Sequence, residues 1–115
     1  GVQAAAVASL LRSGAPYSVV KDTVQHLLND QNPAIRSGAV KALGNGKGPD
    51  VCNVLILALN DPLPRPRIGA SRALGRIGDR TLLPTLKRLL RDTDEAVRVT
   101  AAAAIVRILD KEIGL

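Results

Sequence analysis

The sequence has almost no aromatic, sulfur-containing or imidazole side chains. It contains no Phe, Trp or Met, one Tyr, one Cys (Cys52) and one His (His26). An aromatic-lined cofactor pocket and a platform that stacks nucleic-acid bases both need residues that the chain lacks. A single Cys excludes an internal disulfide and a zinc site of several cysteines, and a single His leaves little for acid–base catalysis. We therefore expect no cofactor, no metal site and no enzyme activity.

Long apolar runs are also missing. No stretch approaches the roughly 18–20 residues that a membrane-spanning helix needs, and the first residues lack the pattern of a secretory signal. Together with the lone Cys, this predicts an intracellular protein and favours the cytoplasm. The rest of the composition suits a single domain, because 115 residues are 46% hydrophobic and 23% charged, with a net charge of +6.

Equivalent residues recur every 31 positions. The columns are Asp30, Asp61 and Asp92; Leu28, Leu59 and Leu90; Arg36, Arg67 and Arg98; Ala39, Ala70 and Ala101; Ala42, Ala73 and Ala104; and Leu43, Leu74 and Ile105. A repeated sequence predicts a repeated structural unit. We divide the single domain 1–115 into a partial repeat 1–29 and repeats 30–60, 61–91 and 92–115, and we expect it to be part of a longer array.

Within each repeat the apolar residues follow helical spacing. Ile35, Ala39, Ala42 and Leu43 occupy one helix face, and no segment alternates with the period of a strand. We predict an all-α protein with helices at 2–12, 17–29, 33–44, 50–60, 66–76, 81–91 and 95–112. Short connections give antiparallel pairs, and stacked pairs bury their apolar faces in a right-handed α-α superhelix, or α-solenoid.

Capping residues and prolines mark the helix ends. Asn32 and Asp94 stand where an N-cap is expected, and Thr81 is expected to cap the helix of segment 81–91. Pro66 stands in a column that is otherwise apolar and helical. We therefore expect the helix of segment 66–76 to start late or to bend.

The repeated phrase resembles a known family. In Asp30…Arg36-Ser-Gly-Ala-Val-Lys-Ala-Leu-Gly, an Asp is followed six residues later by an Arg and then by Ala-x-x-Ala-Leu, which resembles the HEAT repeat. The next repeat, with Leu82-Leu83-Pro84-Thr85-Leu86 after it, is similar to the short HEAT-like repeats of phycobilisome-lyase type. The resemblance implies an Asp/Arg ladder between successive repeats and a concave face lined by the second helix of each repeat.

The Asp and Arg columns also have an interpretation from their own chemistry. Each Asp precedes a predicted helix, where its carboxylate accepts from free backbone N–H groups. Each Arg lies early in that helix, within reach of the Asp of its own or the next repeat. We expect a stabilising ladder, rather than a functional site, from Asp30, Arg36, Asp61, Arg67, Asp92 and Arg98.

Three features that resemble chemical sites have simpler structural interpretations. His26 has no His or Glu at metal-binding spacing, so the His-Glu pairs of HEAT-type hydroxylases are missing, and we expect it at the solvated surface. Cys52 follows Val51 on an apolar helix and is expected to pack as a small hydrophobic residue. The glycines of a phosphate loop follow a strand, whereas those of segments 44–48 and 75–78 do not. We therefore expect left-handed helix ends there.

The helix positions that the core does not need form a candidate binding surface. If the second helices line the concave face, its floor changes from polar through apolar to basic along Gln25, His26, Ile56, Leu57, Asn60, Lys87, Arg88 and Arg91. Ile56 and Leu57 are expected to anchor a partner, and the basic residues to hold an acidic segment of it.

These features predict a noncatalytic scaffold that binds a protein or peptide. Two alternatives stay open: an accessory subunit or lyase-like protein of phycobilisome-lyase type, and weak binding of phosphate backbones. We expect neither nucleic acid nor a membrane as the main partner. Segments 2–11 and 99–109 are apolar almost all round, so we also expect end-to-end self-association through the terminal helices.

Overall fold

The computed structural model describes residues 1–114; residue 115, the end of the last predicted repeat, lies outside the described residues. Within that range, seven α-helices follow one another: α1 (Val2–Arg12), α2 (Tyr17–Leu28), α3 (Pro33–Leu43), α4 (Pro49–Ala58), α5 (Pro64–Ile77), α6 (Leu83–Arg88) and α7 (Glu95–Glu112). Turns of 3-10 helix at Arg80–Leu82 and Leu89–Arg91 flank α6. The predicted all-α class is confirmed. None of these helices is both long enough and apolar enough to cross a bilayer.

The helices stack in two layers. The first-helix layer consists of α1, α3, α5 and α7, which pack successively on one another. The second-helix layer consists of α2, α4 and α6; α2 rests against α1 and α3, α4 against α3 and α5, and α6 against α7. The body measures 34 × 31 × 17 Å and is an α-solenoid, in which each repeat buries its apolar faces against its neighbours.

The core runs between the two layers and is built from aliphatic residues of every repeat. Its fully buried large side chains include Leu43, Leu55, Leu74, Leu86 and Ile108. Both alanine columns of the repeat are buried as well: Ala39, Ala70, Ala101, Ala42, Ala73 and Ala104. Because alanine is small, successive helices of the first-helix layer approach each other closely.

The tightest approach lies between α5 and α7. A Cβ added to Gly75 would lie 2.8 Å from both Cα and Cβ of Ala104. Gly44 has the same relation to Ala73 one repeat earlier, where the added Cβ would lie 3.3 Å from the alanine Cβ. The space between the helices therefore requires glycine at position 75, whereas at position 44 a methyl group would need the neighbouring side chains to shift.

The expectation of left-handed helix ends at these glycines is wrong. Gly44 has a φ of −64°, Gly75 lies inside α5, and Gly78 has a φ of −86°. Within segments 44–48 and 75–78, only Gly48 has a positive φ, 94°, and it precedes α4 rather than ending a helix. A glycine can be required because helices pack closely or because the backbone has φ > 0. The sequence alone does not distinguish these two reasons.

Two of the three predicted N-caps are confirmed. Asn32 accepts a hydrogen bond from the backbone N–H two residues on at 2.9 Å, and Asp94 from the N–H three residues on at 3.0 Å. The prediction for Thr81 is wrong, because Asp79 is the cap and accepts the Thr81 N–H at 2.9 Å. A 3-10 turn begins at residue 80, before α6, so the cap lies two residues earlier than predicted.

Helix α5 starts earlier than predicted. It begins at Pro64, and Pro66 occupies its third position with a buried side chain. The late start expected at Pro66 is therefore wrong. The first N–H groups of a helix have no acceptor within it, so a proline there loses no hydrogen bond and its fixed φ already suits the helix.

The outer sides of α1 and α7 are apolar and open to solvent. Val2 is 87% exposed, Val99 is 62% exposed and Val106 is 55% exposed. Val106 also stands at the repeat position that Gly44 and Gly75 occupy in the two preceding first helices. Helix α5 packs over Gly44 and helix α7 packs over Gly75. The equivalent position of α7 carries the larger side chain of Val106, so this surface leaves less room for close packing.

Candidate functional site

A groove of about 420 Å³ separates α2 from α4 on the second-helix layer. We call it the α2–α4 groove, and its walls are formed by Tyr17, Gln25, Leu28, Asn29, Val54, Leu57, Ala58, Asn60 and Asp61. Leu28 and Val54 pack partly against the core, so the fold fixes the floor of the groove. Val54, Leu57 and Ala58 face it together because residues three and four apart share one side of a helix.

Leu57 is the apolar side chain at the edge of this groove. It is 71% exposed, more than any other large hydrophobic residue of α2, α4 or α6. The exposed amides of Gln25, Asn29 and Asn60 line the same groove and supply both donors and acceptors. Leu57 is thus an exposed apolar residue among polar amides.

Tyr17 forms one end of the groove and was not singled out by the sequence analysis. Its hydroxyl is buried and has no hydrogen-bond partner among residues 1–114. Burial, followed by the negative charge of Asp50, raises the pKa of the Tyr17 hydroxyl above its ordinary value. The signal available in the sequence was that Tyr17 is the only aromatic residue of the chain.

A smaller groove of about 140 Å³ lies between α4 and α6. Its walls are Ile56, Leu59, Asn60, Thr85, Arg88 and Leu89, and we call it the α4–α6 groove. Ile56 is half-buried on this side of α4, whereas Leu57 points toward α2. The turn after α4 carries Asn60, which borders both grooves.

The predicted binding residues are divided between these places. Gln25, Leu57 and Asn60 border the α2–α4 groove, and Ile56, Asn60 and Arg88 border the α4–α6 groove. The remaining three, His26, Lys87 and Arg91, are exposed on the second-helix layer but line neither groove.

Asp61 links the α2–α4 groove to the packing of the repeats. The carboxylate of Asp61 accepts hydrogen bonds from Arg36 Nε at 2.8 Å and from Arg36 Nη2 at 3.1 Å. Arg36 Nη1 donates to the backbone oxygen of Asp30 at 2.9 Å, and the Leu63 N–H donates to Asp61 at 3.0 Å. One guanidinium thus holds the turns before two successive first helices.

The same arrangement recurs one repeat later. Arg67 donates to both carboxylate oxygens of Asp92, at 3.1 and 3.0 Å, and to the backbone oxygen of Asp61 at 2.8 Å. Arg98 donates to the backbone oxygen of Asp92 at 2.8 Å, and within residues 1–114 it forms no ion pair. The Asp30 carboxylate accepts the Asn32 N–H at 2.8 Å.

The ladder carboxylates are held in their charged form. Burial acts to raise the pKa of Asp61, but the hydrogen bonds from Arg36 and from the Leu63 N–H outweigh it and keep that pKa below the ordinary value. Burial likewise opposes the hydrogen bonds to Asp92, and the pKa of Asp92 is also lowered. Charge-assisted, bidentate contacts favour the ionised carboxylate in both places.

The other residues considered for chemistry stand apart. Cys52 is partly buried beside the core, and burial, followed by the charge of Asp79, raises the pKa of its thiol. A raised pKa keeps the group as a thiol rather than the nucleophilic thiolate. Across residues 1–114, no three His, Cys, Asp or Glu side chains are grouped so that they could hold a metal ion.

Comparison with known proteins agrees with the repeat and with its geometry. The family profile described as HEAT repeats matches residues 1–65 and again residues 52–112. The chain belongs to the HEAT-repeat family. No curated protein matches it at a significant level. HEAT repeats are helical scaffolds that generally take part in protein interactions, and the two-layered α-solenoid agrees with this family.

Proposed function

We propose that this HEAT-repeat protein is a noncatalytic scaffold that binds a protein or peptide in the α2–α4 groove. The observation that carries the proposal is the position of Leu57, 71% exposed on a packed helix beside a groove of about 420 Å³. A side chain presented by a rigid helix loses little conformational freedom when a partner covers it. The free energy gained by covering Leu57 is then available for binding.

The chemistry of the groove indicates what kind of segment fits. An apolar side chain of the partner inserts beside Leu57 and Val54, and the amides of Gln25 and Asn60 pair with polar groups of its backbone. In the α4–α6 groove, Arg88 offers a fork of donors to a carboxylate, so an acidic residue next to the apolar one extends the contact. His26, Lys87 and Arg91 contribute at the periphery, where exposed charges affect association more than affinity.

Capture with immobilised protein tests the proposal. Wild type is compared with Leu57→Asp and with the matched control Val19→Asp, which alters an α2 residue that is 60% exposed and does not line the groove. We expect Leu57→Asp to reduce capture of the partner about tenfold or more, as for a central anchor of an interface. The double variant Leu57→Asp, Arg88→Glu should reduce it further.

Circular dichroism of each variant verifies that the helices are retained. Equal capture by wild type and Leu57→Asp would contradict the proposal, and so would an equal loss with Val19→Asp, which would indicate a general effect of added charge.

We also propose that copies of the chain associate through the outer sides of α1 and α7. The exposed fractions of Val2 on α1 and Val106 on α7 support it, because exposed apolar surface is typical of protein contacts.

A further inference from the structure

The side of α5 that faces away from the core carries a stripe of arginines. Arg65, Ile68, Gly69, Arg72 and Arg76 follow the spacing of one helix face and lie opposite the buried residues of the helix. At a rise of about 1.5 Å per residue, the stripe extends about 16 Å along the helix. We call the side of the first-helix layer that carries it the outer face.

Two shallow grooves run along this stripe, one on each side of α5. The groove between α3 and α5 has a volume of about 260 Å³ and includes Lys41, Ile68 and Arg76. The groove between α5 and α7 has a volume of about 310 Å³ and includes Val99 and Arg107. Arg72 borders both, so the two grooves form one continuous surface.

The cations of the outer face are exposed and unpaired within the described chain. Lys41, Arg65, Arg72, Arg76 and Arg107 are all exposed. Among residues 1–114, the ion pairs within 4.0 Å are those of the two ladder arginines, Arg36 and Arg67, so no carboxylate is that close to any of these five cations. Neither groove has an Asp or Glu in its walls. Five positive charges thus share one surface, and none of them forms an ion pair within 4.0 Å among residues 1–114.

Apolar and small residues lie between these charges. Ile68 is half-buried between the arginines of α5, and Val99 is 62% exposed in the neighbouring groove. Gly69 and Ala103 keep the groove floors low, because neither carries more than a methyl group. The surface therefore alternates positive charge with apolar contact area.

We propose that the outer face binds an acidic protein segment that carries apolar side chains between its carboxylates. The guanidinium groups of Arg72, Arg76 and Arg107 offer forked donors that match carboxylate oxygens. Ile68 and Val99 cover the apolar side chains of the segment. This site lies on the opposite layer from the α2–α4 groove and shares no residue with it, so the two proposals stand or fall separately.

A nucleic acid fits this surface less well. Phosphate backbones present charge without apolar side chains, so a bound nucleic acid would leave Ile68 and Val99 without an apolar partner. Single strands are held largely by stacking on aromatic rings, and the outer face has none.

Fluorescence anisotropy with defined probes tests the proposal. The probe is a labelled peptide of about 12 residues that repeats Glu-Glu-Leu and is about 40 Å long when extended. Its controls are the Gln-Gln-Leu peptide and a labelled random-sequence DNA duplex. We expect the acidic peptide to bind about tenfold or more tightly than either control, and its binding to weaken as salt is added.

Two triple variants with the same change in charge locate the site. Arg72→Gln, Arg76→Gln, Arg107→Gln should weaken binding of the acidic peptide about tenfold. Lys21→Gln, Lys47→Gln, Arg80→Gln alters exposed cations that line neither outer-face groove and should change binding of the acidic peptide less than about twofold.

Equal weakening by both triple variants would show attraction to net charge alone and overturn the proposal. Tighter binding of the duplex, or unchanged binding by the outer-face variant, would also overturn it. The single variant Arg72→Gln, at the residue that borders both grooves, keeps the test valid if the triple variant does not fold.

Discussion

Gly75 sets how closely α5 and α7 approach each other. Replacement by Ala would place a methyl group 2.8 Å from the Cα and Cβ of Ala104, and part of that contact is backbone that cannot rotate away. We expect Gly75→Ala to lower the free energy of unfolding by about 1–3 kcal/mol, as overpacked cores do. Urea unfolding followed by circular dichroism measures the change.

Gly38 provides the matched control, because it also lies inside a helix of the first-helix layer. A Cβ added there would lie 4.0 Å from the Cβ of Ala4, which is an ordinary contact. Since alanine has the higher helix propensity, Gly38→Ala should leave stability unchanged or raise it by up to about 1 kcal/mol. A similar loss in both variants would contradict the role given to the α5–α7 contact.

The candidate binding surface could be predicted from the sequence only as a set of equivalent repeat positions. Ile56 and Leu57 are adjacent on α4 and looked equivalent, yet Ile56 is half-buried toward α6 while Leu57 is 71% exposed. Neighbouring helix residues point about 100° apart, so the placement of α6 decides which of them solvent reaches. Tyr17 enters the α2–α4 groove through the packing of α2, which no local pattern reports.

Helix α3 depends on its N-cap. Asn32 accepts the backbone N–H two residues on at 2.9 Å and satisfies one of the free donors at the helix start. Asn32→Ala should cost about 1 kcal/mol of unfolding free energy, whereas Asn32→Asp, which keeps the acceptor, should cost much less. Thermal and urea unfolding measure the stability of both variants. Equal losses of stability would show that the side-chain acceptor at position 32 does not stabilise the helix.

At the scale of the helices, the 31-residue spacing predicted most of the architecture. The starts of α1, α2, α3 and α7 agree with the predicted helices, and side-chain caps mark the starts of α3 and α7. The segment 81–91 was predicted as one helix, but the structure breaks it into a six-residue α6 between two 3-10 turns. The early start of α5 at Pro64 was not predicted either. A proline in the first turn of a helix is tolerated and one in its interior breaks it, and the sequence alone did not show which position Pro66 occupies.

The Arg–Asp ladder makes the stability of the whole molecule depend on pH. Asp61 and Asp92 have lowered pKa values in the folded chain, whereas an unfolded Asp has a pKa of about 3.9. The stabilisation is therefore complete above the unfolded pKa and is lost as the pH falls through the folded pKa. We expect the melting temperature to be steady from about pH 7 to pH 5 and to fall below about pH 4.

The variant Asp61→Asn, Asp92→Asn is the control for this pH dependence. It should be less stable than wild type at pH 7, and its melting temperature should fall less between pH 5 and pH 3 because the two titrating groups are gone. Parallel pH profiles for the two proteins would show that other carboxylates govern acid unfolding.

Self-association of the molecule is expected to depend on its two apolar ends. Sedimentation velocity over a range of concentrations should show wild type forming larger species, and Val106→Asp should shift it to the monomer. Val19→Asp, which adds the same charge on α2, should behave as wild type. A wild type that stays monomeric at every concentration would refute end-to-end contact.

Asp61 belongs both to the wall of the α2–α4 groove and to the contact between the turns that precede α3 and α5. A bound segment that draws on this carboxylate competes with Arg36 for it, so occupancy of the groove and the stiffness of the stack are coupled. Thermodynamic coupling is reciprocal. For a segment bound in this groove, we therefore expect that bending of the stack changes its affinity by the same factor by which the bound segment changes the ease of bending.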